Sequence, residues 1–368
     1  MKIPFNILDR QFFKYQKEYE NKAIEVLRSG WYVLGREVEN FEKEYAEYLD
    51  TNCVIGVDNG LNAIVLAFRA LGIKEGDEVI VQANTYIASV MGITMNGATP
   101  IFVEPNEYYN IDANKIEERI TKKTKAILVV HLYGQATDMK KILELCKKYD
   151  LKLVEDCAQA HSAEYSRKKV GTFGIGCFSF YPSKNLGCFG DGGAIATSDI
   201  ELAKEFKILR NYGSEKRYYN KVVGYNSRLD ELQAGLLRVK LTHIKELTKE
   251  REKLAKKYLS EIKNPLIILP KIKENCTHVW HLFVVRVENR EKFQKYLEEN
   301  GIGTVSHYPI PPHLSEAYKY LGYKKGDFPI TEKYAETVLS LPLYNGMTEE
   351  EIEYVIEKIN NYREELCY

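Results

Sequence analysis

The chain has 368 residues, 45% apolar and 28% charged, which is the composition of a folded globular protein and excludes a largely disordered one. Its 52 Lys and Arg balance 52 Asp and Glu, so there is no global basic field to gather nucleic acid or an anionic membrane surface. Any anion must be held at a local site. No run reaches the ~18 consecutive apolar residues of a membrane span. The opening Met1-Lys2-Ile3-Pro4-Phe5-Asn6 lacks the apolar stretch of a signal peptide. The seven cysteines, at 53, 146, 157, 177, 188, 276 and 367, form no C-x-x-C pair. That spacing predicts reduced, buried thiols in a cytoplasmic protein, with neither a zinc cage nor a disulfide framework.

In chain order, short β-rich apolar runs alternate with amphipathic stretches from residue 50 to residue 200. The runs are 53–57, 78–81, 100–103, 126–130, 151–154, 176–180 and 193–197. Runs this short and continuous read as buried strands of a parallel sheet. The first leads into a helix over Ile64–Leu71, and the fourth into a helix from Met139 with Asp138 as its N-cap. The alternation predicts an α/β fold, a mostly parallel seven-stranded sheet between helices. Residues 229–262 then carry one long helical pattern through Leu232, Leu236, Leu237, Ile244 and Leu247. Beyond Pro265 the pattern becomes α+β, with a strand at 281–287, a helix at 290–300 ending at Gly301, and a closing helix at 349–366. The expected boundary lies in the long helix, giving a large domain at 1–250 and a smaller α+β C-terminal domain at 251–368.

Ligands of open α/β sheets bind at the carboxyl ends of the strands. The first strand is followed by Asp58-Asn59-Gly60-Leu61-Asn62-Ala63. A glycine at a helix start presents free N–H groups to an anion, although a plain strand-to-helix turn has the same pattern. The second is followed by Tyr86, which could stack on a planar ring or simply pack. The fifth ends in Glu155-Asp156-Cys157-Ala158-Gln159-Ala160-His161, whose two carboxylates are costly to bury without partners. After the sixth, Ser179 to Gly187 holds Lys184 in a turn of small residues. A lone loop lysine is ordinarily a solvated group. Four such features, each after a different strand, match the needs of pyridoxal phosphate: donors for its phosphate, a stacking face for its ring, a carboxylate for its pyridine nitrogen and a lysine for its aldehyde. A dinucleotide-binding G-x-G-x-x-G is not supplied by Asn59–Ile64.

These residues belong to a longer ordered set: Gly30–Glu42, Gly76–Ile80, His131–Gln135, Glu155–His161, Ser179–Asn185, Gly224–Leu229, His307–Pro309 and Leu339–Pro342. The set runs along nearly the whole chain and resembles the DegT/StrS-type family of fold-type-I, pyridoxal-phosphate-dependent sugar aminotransferases. The resemblance implies that Lys184 is the catalytic Schiff-base lysine, that Asp156 pairs with the pyridinium nitrogen, that Gln159 bonds the ring hydroxyl and that Tyr86 stacks on the ring. It places Ser179 and the amides of Gly60 and Leu61 on the phosphate, and has Asn226 reach across a homodimer to the partner's phosphate. Tyr32, His161, Tyr181, Arg228, His307 and Tyr308 would face the substrate. One departure is Leu61, where many members carry a hydroxyl residue.

The combination Gln159-Ala160-His161 with Tyr181-Pro182 resembles the branch that aminates dTDP-linked 3-keto-6-deoxyhexoses. With L-glutamate as donor, that branch makes dTDP-3-amino-3,6-dideoxyhexoses for glycans of the lipopolysaccharide or S-layer type, or for antibiotics. An alternative is a C4 aminotransferase of a UDP-linked 4-ketosugar; another, of a different class, is a non-catalytic regulator that binds the cofactor. Related dehydratases replace the lysine by histidine, and Lys184 argues against that chemistry. His307 and His313 flank Tyr308–Pro312, read either as a rigid Pro-rich loop or as a lid over the nucleotide sugar. His278 and His281, around Trp280, read as structural.

Overall fold

The structure is a computed structural model and describes residues 1–364. The end of the expected 349–366 helix, and Cys367, lie outside the described residues. Seven strands form the main sheet: β1 (Cys53–Val57), β2 (Glu78–Gln82), β3 (Thr99–Val103), β4 (Thr124–Val130), β5 (Lys152–Asp156), β6 (Ile175–Ser179) and β7 (Gly193–Thr197). Their spatial order is β1-β7-β6-β5-β4-β2-β3. β7 runs antiparallel to both its neighbours, and the remaining pairs are parallel.

Continuous Val/Ile runs form these strands because both faces of the sheet are covered. Side chains alternate between faces along each strand. Ile55 and Val57 join Phe68, Ile93 and Phe206 from helices Gly60–Ala70, Ile87–Thr94 and Ile200–Leu209. Val54 joins Phe41, Tyr45 and Leu237 on the other face, from helices Arg36–Leu49 and Glu231–Glu261.

Some element ends differ from the sequence reading for local reasons. The helix after β1 starts at Gly60 rather than Ile64, because the Asn59 side chain accepts from the Asn62 N–H at 2.8 Å and caps it. The helix after β4 starts at Lys140 with Met139 at the cap position; Asp138 accepts from the Lys140 N–H at 3.3 Å. The strand expected at 281–287 shortens to Phe283–Arg286, paired antiparallel with Val338–Leu341.

The 31-residue helix Glu231–Glu261 changes partners along its length. Ile244 packs in the cluster under the sheet. Leu254, Ala255 and Tyr258 pack in a second cluster with Phe283, Leu339, Val355 and Ile359. Ile3, from the start of the chain, is buried in that same second cluster. Its N–H donates to Gly301 O and its carbonyl accepts from the Gly303 N–H, both at 2.8 Å. Among the described residues no helix is long and apolar enough to cross a membrane.

Candidate active site

A cavity of about 690 Å³ opens at the carboxyl ends of the parallel strands. The antiparallel β7 begins at this edge, so Gly193 pairs with both Val57 and Ser179. A Cβ at Gly193 would lie 2.5 Å from the carbonyl carbon of Asn59, and one at Gly60 would lie 2.6 Å from Ser179 Cβ. Only glycine allows the Asn59–Gly60 turn to sit against both strands. The cap on Asn62 leaves the first amides of the helix, Gly60 and Leu61, without intrahelical acceptors at the cavity, beside the Ser179 hydroxyl. Donors so arranged at a helix N-terminus suit a phosphate.

Across the cavity, β5 sends its last two side chains in opposite directions. Asp156 lines the cavity; Ser89 Oγ donates to its Oδ2 at 2.7 Å and the Ala158 N–H to its Oδ1 at 3.1 Å. Ser89 is itself held by Thr85 Oγ1 at 2.8 Å. Glu155, fully buried, turns away and accepts from the amides of Gly171, Phe173 and Gly174, each at 2.8 Å. His131 Nδ1 accepts from the Thr137 N–H, so its Nε2 carries the proton and donates to Glu155 at 3.1 Å. Glu155 is thus satisfied by amides and an imidazole. Cys157 stands close to this pair, but its two ligand-type neighbours are already committed to these bonds.

Lys184 follows β6 and lines the cavity. Burial lowers its ammonium from 10.5 to about 8, with the Asp156 charge pulling the other way. Tyr86 is half exposed at the start of helix Ile87–Thr94, its ring 5.1 Å from that of Tyr308. Gln159 accepts from the Tyr133 N–H at 2.7 Å and donates to Tyr308 Oη at 2.9 Å. Tyr133 Oη in turn donates to the His307 carbonyl. His307 Nδ1 meets Ser340 Oγ at 2.8 Å, and burial lowers its pKa from 6.5 to about 4, helped by Lys184.

Among the residues expected at the cofactor, Gly60, Leu61, Tyr86, Asp156, Gln159, Ser179 and Lys184 line one cavity, joined by the expected substrate residues Tyr181, His307 and Tyr308. The donor set and the glycine-dependent cradle fit pyridoxal phosphate. Four expected residues stand elsewhere. His161 is 1% exposed behind the wall, its ring between Phe178 and Phe180. Tyr32 donates to Leu27 O at 3.1 Å, and Arg228 donates to Asn211 Oδ1 at 3.0 Å over the Tyr212 ring. Asn226 is exposed.

His281, expected to be structural, lines the cavity, whereas His278 stacks on Trp280 at 3.8 Å. His313 lies apart, buried against Glu332 at 3.1 Å. Sequence reasoning missed Ser89, Phe5, Asn6 and Arg251. Arg251 lines the cavity while donating to the carbonyls of Trp280, His281 and Leu343.

A protein of Aneurinibacillus thermoaerophilus named dTDP-3-amino-3,6-dideoxy-alpha-D-galactopyranose transaminase is 53% identical over 362 residues, covering 98% of this chain and 99% of that protein. The crystal structure of S. venezuelae DesV in complex with a ketimine intermediate superposes with a TM-score of 0.97 at 43% identity, covering 99% of each chain. That of NtdA from Bacillus subtilis with bound cofactor PMP gives a TM-score of 0.89 at 34% identity, covering 97% of this chain and 84% of that one. The DegT/DnrJ/EryC1/StrS aminotransferase family matches residues 14–360. With that match over a cavity built for its cofactor, the chain belongs to the DegT/DnrJ/EryC1/StrS aminotransferase family and is a pyridoxal-phosphate-dependent nucleotide-sugar aminotransferase.

Proposed function

We propose that the enzyme transfers the amino group of L-glutamate to the C3 ketone of a dTDP-linked 3-keto-6-deoxyhexose, giving a dTDP-3-amino-3,6-dideoxyhexose. The observation that carries this reading is Lys184 and Asp156 on the walls of one cavity whose floor is the Gly60–Ser179 cradle. The C3 ketone and the dTDP carrier are supported by the name of the Aneurinibacillus relative.

Pyridoxal phosphate, when bound, supplies an aldehyde for the amino group and a ring that stores the electron pair released from the substrate carbon. The chain's own groups do the rest. The amides of Gly60 and Leu61 and the Ser179 hydroxyl would hold the phosphate. Asp156, fixed by Ser89 and Ala158, would present its carboxylate to the ring nitrogen and keep it protonated. Gln159 would bond the ring hydroxyl, and Tyr86 would cover the ring. Lys184 Nζ binds the cofactor and is the base: with its pKa lowered to about 8, the amine takes up and returns a proton near neutral pH. Tyr181, His307 and Tyr308 face the hexose.

A homodimer with shared sites would account for Tyr32, Asn226 and Arg228 outside the cavity, though not for the buried His161. Val33 pairs with Asp230, so the segment holding Tyr32 adjoins that holding Asn226 and Arg228. Around them Trp31 is 64% exposed, and Tyr218 and Val223 are each 82% exposed. A second copy would cover this apolar surface and receive Asn226 at its cofactor phosphate. A large unit at 1–250 and a small one at 251–368 would meet along the long helix, with Ile3 crossing into the small unit's cluster and Cys276 and Val279 into the large unit's. The described cysteines are all unpaired, in keeping with a cytoplasmic enzyme.

The test is a panel of dTDP- and UDP-linked 3- and 4-ketosugars incubated with the holoenzyme and glutamate, with products identified by mass spectrometry and NMR. The dTDP-linked 3-ketosugar is expected to be aminated with the highest kcat/KM. Preference for a 4-ketosugar, or for UDP, would overturn the substrate assignment.

A further inference from the structure

Two residues from the very start of the chain, Phe5 and Asn6, line the active-site cavity, far in sequence from every strand-end motif. Their position is built into the fold. Ile3 is clamped by the main chain of Gly301 and Gly303 at 2.8 Å on each side. Gly301 sits at a φ of +76°, a left-handed conformation that favours glycine. A Cβ at Gly303 would lie 2.7 Å from the Phe5 nitrogen, so the strap crosses where no side chain fits. Downstream, Arg10 makes a bidentate pair with Glu351 at 2.6 and 2.7 Å and donates to Gly346 O at 2.9 Å. The segment between Ile3 and Arg10 is therefore pinned at both ends.

Between those anchors the Phe5 ring rests 5.7 Å from the ring of His307. Asn6 is half-buried at the cavity, and its side-chain amide makes no hydrogen bond among the described residues. An amide offers two donors and an acceptor, and an aromatic ring offers an apolar face. Together they match a hexose, which presents hydroxyls around an apolar C–H face. A dicarboxylate calls for a cation, which neither residue supplies.

We propose that the N-terminal strap is a specificity wall of the site, in which Asn6 hydrogen-bonds a hydroxyl of the hexose and Phe5 packs His307 in place beside it. The proposal rests on the ketosugar reading above and adds to it the residue that reads the sugar ring.

The test is calorimetric binding of the dTDP-amino-dideoxyhexose product, and separately of dTDP alone, to holoenzyme carrying Asn6→Ala. Loss of one neutral hydrogen bond should weaken the nucleotide sugar by roughly 3- to 10-fold. Affinity for dTDP and the rate of the half-reaction with glutamate should stay as in wild type. Gly303→Ala, whose added Cβ presses on the Phe5 main chain and leaves the Phe5 and Asn6 side chains unaltered, should reproduce the hexose-specific loss, and Asn6→Gln should restore part of it. Unchanged affinity for the nucleotide sugar in Asn6→Ala would overturn the proposal. So would equal weakening toward dTDP alone, or a slowed glutamate half-reaction. If wild-type holoenzyme binds dTDP-linked and UDP-linked amino sugars equally poorly, the ketosugar reading itself falls, a result distinct from failure of Asn6 alone.

Discussion

Ser89 donates its hydroxyl proton to Asp156 Oδ2 at 2.7 Å, and so sets the direction in which that carboxylate faces the cavity. Thr85 holds Ser89 from behind at 2.8 Å. Ser89 is a positioning residue. A hydrogen bond to a charged group contributes about 1.5–3 kcal/mol, so Ser89→Ala should lower kcat by roughly tenfold or more while the fold is kept. The readout that separates positioning from packing is the pH titration of the bound cofactor's absorbance, which should shift in Ser89→Ala and return toward wild type in Ser89→Thr. An unchanged kcat and titration would show that Asp156 needs no such brace.

Lys184→Ala should abolish steady-state transamination and leave the thermal midpoint of the protein unchanged or raised. The side chain makes no hydrogen bond through its amine among the described residues, and its charge is disfavoured by burial. Near-normal turnover in the purified variant would remove Lys184 from the chemistry.

Lys240 supplies a pH test of burial. It is buried on the long helix, and desolvation, helped by Arg251, lowers its pKa from 10.5 to about 7, with Cys188 opposing. Below pH 7 folded and unfolded chains both carry the charge, and the folded state bears the whole penalty. Between pH 7 and 10.5 the unfolded chain holds the extra proton, so stability rises with pH across that window and the penalty fades. Lys240→Met, similar in volume, should therefore raise the melting temperature clearly at pH 6 and much less at pH 9.5. A gain that grew with pH would contradict the assignment.

Glu155→Ala should destabilise by at least about 3 kcal/mol, since three backbone amides and His131 lose their shared acceptor. Denaturant unfolding of the cofactor-free protein measures it. A loss below ~1 kcal/mol would mean that the 171–174 loop finds other acceptors.

The part of the cavity that was legible in the sequence is the part carried by strand ends. Gly60, Asp156, Ser179 and Lys184 follow β-rich runs directly, and a sheet brings its carboxyl ends to one edge whatever the loops do. Ser89 was not legible, because a small residue inside an apolar helix start looks like filler until Asp156 is seen beside it. Phe5, Asn6 and Arg251 were hidden for a different reason: long-range packing brings them in from distant segments, and no local spacing records it. The burial of His161 was also hidden. Its motif neighbours Asp156 and Gln159 line the cavity, but a short turn past the strand carries His161 back among the aromatic side chains. The helix start at Gly60 rather than Ile64 depended on a single Asn59 side chain turning to cap it.

The clamp of Ile3 between Gly301 and Gly303 joins two segments far apart along the chain, the second of them beyond the last strand of the sheet. The sheet and its phosphate cradle draw on residues that precede that second segment. The strap has no seat without it, and contacts so distant along the chain form late because loop-closure entropy must first be overcome. The cofactor floor is thus expected to form before the outer wall, which closes when Ile3 reaches its distant clamp.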